Sequence, residues 1–281
     1  MLRSDLEGAV SETRKILADA ITSSSYEGKL KKDGQEAKNA AIRSSQPIQK
    51  LHSILGISIE KELHSRKIKT NMWPPSGSIQ PELKITGLLK AKKQDIAITV
   101  KPHIAEKIQT GVQVGEIDHV GFEATNSALA IGVRSQLSSI EKNFDTLSER
   151  SFAETLNLRL RCPKITLAEA YLIPIYEFND FDLKNNKIGF NNKKVDVEKF
   201  IRIFNAITQQ NNTHEKDSLY KYNATTLIIA DMRDSNVRIL WDQADFIEEF
   251  GEQIALKAKQ LYPSNFIKQL CDSYEIRLET K

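Results

Sequence analysis

Hydrophobic positions change their period along this chain. Over the first 70 or so residues they recur at helical spacing: Leu2, Leu6, Val10, Ile16, Leu17 and Ile21 fall roughly on one face, as do Leu51, Ile54, Leu55, Ile59 and Leu63 further on. A polar stretch over residues 23–33 interrupts them, and Lys29-Leu30-Lys31-Lys32-Asp33-Gly34 reads as a turn. Trp73-Pro74-Pro75-Ser76-Gly77 then stops regular structure.

From about residue 84 the period becomes two, and short apolar runs predict buried strands over 95–100, 128–133, 165–175 and 225–230. Residues 115–122 read as a connecting strand or hairpin. Helical patterning covers 146–161, closed by Pro163, then 195–207 and 242–261, with a short C-terminal segment after it. The Asn- and Lys-rich stretch 179–194 reads as a surface loop. Apolar strands separated by helices predict an α/β fold, a central mixed sheet with helices on both faces. In that reading residues 1–72 are a helical N-terminal addition, 84–176 the core, and 177–281 the part that completes sheet and helices of one domain.

Composition narrows the function classes only a little. With 281 residues, 40% hydrophobic and 27% charged, the chain is of globular type. A net charge of +3 permits an anionic partner without demanding one. Cys162 and Cys271 are far apart and form no CxxC pair, which excludes a zinc ribbon or disulfide framework and fits a reducing compartment. No run reaches the roughly 18 apolar residues of a membrane span. The start, Met1-Leu2-Arg3-Ser4-Asp5-Leu6-Glu7, has no apolar signal core, so no secretory signal is expected. There is no GxGxxG, P-loop or GxSxG, and His52, His64, His103, His119 and His214 show no metal-ligand spacing.

Three polar features stand at the ends of apolar elements. Lys92-Lys93-Gln94-Asp95 runs directly into a strand, and an Asp buried beside apolar residues needs a partner, whether a cation, a lysine or a helix N-terminus. Arg134-Ser135-Gln136 emerges at the end of the next strand, where α/β proteins place ligands. Glu154 follows on the next helix, one turn after Arg150, its ordinary surface partner. Each alone reads as routine surface chemistry. Together they supply two carboxylates for a hard cation and a positive charge for a phosphate, the parts that phosphodiester hydrolysis needs.

Val133-Arg134-Ser135-Gln136-Leu137-Ser138-Ser139 followed by Glu149-Arg150-Ser151-Phe152-Ala153-Glu154-Thr155-Leu156-Asn157-Leu158 resembles type II restriction endonucleases of the PD-(D/E)XK superfamily. It is most similar to the branch whose catalytic glutamate has moved from the strand to the following helix. The match covers residues 90–176, under a third of the chain. The resemblance implies a restriction-endonuclease-like core and Mg²⁺-dependent cleavage of double-stranded DNA at a specific sequence, leaving 5′-phosphate ends. It assigns Asp95 and Glu154 to the metal and adds Arg134 and Gln136 as catalytic residues. It further implies a homodimer reading a palindromic site in a prokaryotic cytoplasm, and the apolar N-terminal helices are candidates to supply part of its interface.

The sequence departs from the pattern at Gln94, where a proline is usual, at Arg134, where a lysine is usual, and at Gly132, where the strand glutamate would stand. Arginine can clamp a phosphate but cannot serve as a base. Glu154 also follows Arg134 at a longer spacing than the branch implies. Lys142 is a candidate replacement lysine, and Glu116, Asp118, Glu123, Glu141 and Glu149 are rival carboxylates. Lys90, Lys92, Lys93, Ser135, Lys193 and Lys194 are the candidate DNA contacts. Two other readings compete: a nuclease-fold repair protein or non-cutting DNA binder, and an α/β small-molecule enzyme or interaction protein with no nucleic-acid role.

Overall fold

The computed structural model describes residues 1–209 and 218–279; His214 lies outside them. Its centre is a six-stranded mixed sheet: β1 (Asn71–Trp73), β2 (Ile96–Thr99), β3 (Leu129–Ser135), β4 (Thr166–Pro174), β5 (Ala224–Asp231) and β6 (Arg238–Ile239). Each strand pairs with its neighbour in the chain, so spatial order follows sequence order. β2 runs antiparallel to both β1 and β3, β3, β4 and β5 are parallel, and β6 returns antiparallel. Among the described residues no helix is long and apolar enough to cross a membrane.

The sheet is buried on both faces because its strands carry apolar side chains at successive positions, not alternate ones. Ile96, Ile98, Leu129, Ile131, Ala170 and Ile228 point to one side. There they meet α1 (Arg3–Ser23), α2 (Gly34–Arg43), α3 (Gln49–Ser65) and, from the far end of the chain, α8 (Pro263–Glu279). Ala97, Ala130, Leu167, Tyr171 and Ile229 point to the other side. That side is covered by α4 (Phe144–Arg159), α5 (Val197–Ala206), α6 (Gln243–Phe250) and α7 (Glu252–Ala258).

The helical residues 1–72 are therefore one layer of the core and not an addition to it. Leu6, Val10, Leu17, Ile21, Leu51, Leu55 and Ile59 are fully buried. Their apolar faces are spent against the sheet, which removes them as the expected dimer interface. Three other readings need correction. Residues 179–194 hold a short helix, Asp180–Lys184, and a strand, Phe190–Lys194, paired with Tyr176–Phe178. Their side chains are polar because that strand lies outside the main sheet. The helix expected over 242–261 breaks at Gly251, whose φ of +85° no helix permits. The C-terminal segment is a 17-residue helix, held by Phe266, Leu270 and Tyr274 in the core. Within 115–122, read as a connecting strand or hairpin, lies one short strand, Ile117–Asp118, whose partner Glu106–Lys107 stands outside that stretch.

Candidate active site

Asp95 immediately precedes β2, and its Oδ2 accepts a hydrogen bond from the Val133 N–H at 2.8 Å. That bond locks the mouth of β2 to the end of β3. Arg134 and Gly132 lie on the α4 side of β3, in alternation with Val133 on the opposite side. α4 crosses above them and lowers Glu154 towards the sheet. Asp95, Glu154, Lys92 and Gly132 line one cleft of about 340 Å³. The two acidic residues selected from the sequence thus converge on one space.

Glu154 is the electrostatic hub. Its side chain is 19% exposed and accepts from Lys92 Nζ, Arg134 Nη2 and, at 3.1 Å, Arg150 Nε. Three cations on one carboxylate repel one another. The Lys92 ammonium is pushed down to about 8, first by burial and then by Arg134 and Arg150. Arg150 is lowered too, chiefly by Arg134. Burial also pulls the Arg134 guanidinium down, but Glu169 and the groups around it outweigh this and raise it.

Sequence reading missed Glu169. It is a single acidic residue inside the all-buried strand β4, where the apolar run masked it; it is fully buried. Its Oε1 accepts from Ser151 Oγ at 3.3 Å and lies 3.6 Å from Arg134 Nη1. The Tyr222 hydroxyl beside it donates to the Ser151 carbonyl 3.3 Å away, and is raised well above its ordinary pKa by burial, by the Glu169 charge and by hydrogen bonding with Glu169. His52, on α3, was also missed as a neighbour of Asp95: burial lowers its pKa although the Asp95 charge acts to raise it.

Arg134, Ser135, Gln136 and Arg150 line a second, more open cleft of about 1170 Å³ that shares Lys92 and Asp95 with the first. Gln136 Nε2 donates to the Ser138 carbonyl, and Tyr171 OH donates to Gln136 Oε1 at 3.4 Å. The basic run before β2 lines a third cleft of about 1730 Å³ against α4, with Lys84, Lys90, Lys92, Lys93 and Arg150 on its walls. Asn157 builds that cleft. Its Oδ1 accepts from Leu89 N at 2.8 Å and Lys90 N at 3.2 Å, and its Nδ2 donates to Lys90 O at 3.1 Å, so the loop carrying the lysines is pinned to α4.

Other candidates lie apart. Lys193 and Lys194 sit on the Phe190–Lys194 strand, facing Glu141 at 3.7 Å and Glu249 at 2.7 Å, and line none of these clefts. Lys142 lines a separate polar pocket with Glu177 and Asp180. Asp118 is buried against Arg161 at 2.7 Å, and Glu123 pairs with Lys101 at 2.6 Å. Glu116, Glu141 and Glu149 are exposed.

Three carboxylates, Asp95, Glu154 and Glu169, line the 340 Å³ cleft beside Lys92 and Lys93, and carboxylates are the hard oxygen ligands that Mg²⁺ takes. Among the described residues no three His, Cys, Asp or Glu side chains are gathered as a ready-made metal centre. One buried carboxylate oxygen there, Glu169 Oε2, has no hydrogen-bond partner. The residues fit a cation that enters with its own water or phosphate ligands, which is how Mg²⁺ is usually held. The chain matches no protein-family model, no curated protein and no solved structure.

Proposed function

We propose that this protein is a Mg²⁺-dependent type II restriction endonuclease that hydrolyses double-stranded DNA at a specific sequence and leaves 5′-phosphate ends. The observation that carries the reading is the convergence of Asp95 and Glu154 on one cleft, with Lys92, Arg134 and Arg150 gathered on Glu154. A mixed sheet flanked by helices, with an Asp at one strand mouth, a basic end on the next strand and a Glu on the following helix, supports this reading.

In this reading Asp95 and Glu154 hold Mg²⁺, which when bound lowers the pKa of an attacking water and polarises the phosphate. Arg134 and Arg150 take the phosphate's charge as it develops. Without DNA, Glu154 keeps these cations in place, so little reorganisation is needed when a phosphate arrives. Lys92 supplies the lysine that position 134 lacks, since its depressed pKa leaves a fraction of neutral amine near pH 8. Gln136 orients the water or the phosphate, and Ser135 lies on the same strand end. Lys90 and Lys93, with Lys84, grip the backbone along the cleft beneath α4. A two-fold homodimer in a prokaryotic cytoplasm is the setting that such an activity implies.

The test is digestion of a sequenced plasmid with Mg²⁺ against EDTA, followed by end mapping. Discrete fragments with 5′-phosphates are expected. Asp95→Ala and Glu154→Ala should abolish cutting while leaving specific DNA binding. Full cleavage by either variant removes that residue from the mechanism. Salt-dependent binding without any cutting would favour the non-cutting binder.

A further inference from the structure

The strand position that carries a glutamate in the resembled family is Gly132, which has no side chain. In the β3–β4 register Gly132 stands directly opposite Glu169. Paired residues in neighbouring strands project to the same face, here the α4 side. A Cβ placed on Gly132 would lie 3.9 Å from Glu169 Oε2 and 3.8 Å from Arg134 Nε. The Glu169 carboxylate therefore borders the space that a side chain from position 132 would enter, at ordinary contact distance.

We infer that Glu169 is a carboxylate of the cation site, reaching across from β4 to stand where Gly132 offers none. The inference rests on the cation-site reading above. An internal ion pair with Arg134 is the competing role, but the geometry serves it poorly. A buried carboxylate and a guanidinium that exist for each other make short paired hydrogen bonds. Here the contact is 3.6 Å, and Arg134 Nη1 and Glu169 Oε2 are both buried without a hydrogen-bond partner. Leaving such groups unsatisfied is costly. One is a cationic donor and the other an anionic acceptor; Glu169 lines the 340 Å³ cleft, and Arg134 lines the larger cleft that shares Lys92 and Asp95 with it. They complement a phosphate and its counter-cation: the phosphate oxygen on Arg134 Nη1, the cation on Glu169 Oε2. Glu169 lines the same cleft as Asp95 and Glu154, and since the three are not gathered as a ready-made centre, a cation at Glu169 would complete its shell with water or phosphate oxygens.

Isothermal calorimetry with MgCl₂ on the full chain, without DNA, tests this. Glu169→Gln keeps the shape and removes the charge, and should weaken Mg²⁺ binding about tenfold or more. Glu149→Gln, on the exposed side of α4, should leave it unchanged. Wild-type affinity in Glu169→Gln overturns the inference. Crystals of the unaltered chain soaked in Mn²⁺ give a second measurement that needs no variant. An anomalous peak in contact with the Glu169 carboxylate supports the assignment, and a peak elsewhere, or none, overturns it. The nuclease reading fails separately. If Glu169→Gln loses Mg²⁺ while the wild type cuts no DNA, the cation site stands and the nuclease falls. If the wild type cuts and Glu169→Gln binds Mg²⁺ normally, the reverse holds.

Discussion

In the sequence Lys142 was the candidate for the missing lysine and Lys92 a candidate DNA contact, and their surroundings set them apart. Lys92 is half-buried among Glu154, Arg134 and Arg150, whereas Lys142 lines a polar pocket elsewhere. Lys92→Met should lower the cleavage rate by about 10²-fold or more, the range of a positioned proton-transfer group. Lys142→Met should leave it near the wild-type value in single-turnover assays. Equal losses in both variants would dismiss the role given to Lys92. A third lysine tests the electrostatics of burial alone. Lys38, on α2, is buried with its ammonium 5.3 Å from the Phe178 ring centre, and desolvation lowers its pKa despite the charges of Asp180 and Glu177. Below the ordinary lysine pKa of 10.5 the unfolded chain then binds more protons than the folded one, so this group's cost fades as pH rises through the window beneath 10.5. Lys38→Met should raise the thermal midpoint at pH 7 by more than at pH 10. A gain that does not shrink with pH would show that the charge is not the cause.

Helices α1 to α3 were legible as helices, because their apolar positions keep a 3.6-residue period, but their place in the core was not. Periodicity says that a face is apolar; it does not say what covers it. The structure gives that face to the sheet, opposite α4. Leu55, fully buried between α3 and the strands, should lose about 2–5 kcal/mol on mutation to Ala, read as a lower urea midpoint. Deleting the first three helices should abolish cooperative unfolding, an outcome an appended region would not give. α8 was missed as a long helix because its polar positions are spread through it. It is fixed by long-range partners: Arg66 at the end of α3 reaches Asp272 at 2.7 Å and Glu275 at 3.0 Å.

Charge matters at the scale of the molecule through its placement and hardly through its sum. A net charge of +3 over 281 residues is slight, yet Lys84, Lys90, Lys92, Lys93 and Arg150 share one cleft with a single acidic residue, Glu154. Exchanging Lys84, Lys90 and Lys93 for Glu should weaken DNA binding and flatten its dependence on salt by about three phosphate contacts. An unchanged slope of log affinity against log salt would place the DNA elsewhere. Exchange of Lys193 and Lys194, which face Glu141 and Glu249 away from the site, is the natural control.

The strands over 96–99, 129–135, 166–174 and 224–231 were fixed locally, by apolar runs long enough to be buried on both faces. The same local signals placed Asp95 at a strand mouth, Arg134 at a strand end and Glu154 on a helix, and chain order alone suggested that these would meet. Tertiary structure decided the rest. Strand pairing, not sequence distance, set Glu169 against Gly132. The fold of one loop onto Asn157 separated Lys90 and Lys92 from the remote Lys193 and Lys194. Local periodicity can encode which face of an element is apolar. Which charges share a low-dielectric space depends on contacts between residues far apart in the chain, and those form only once the layers have packed.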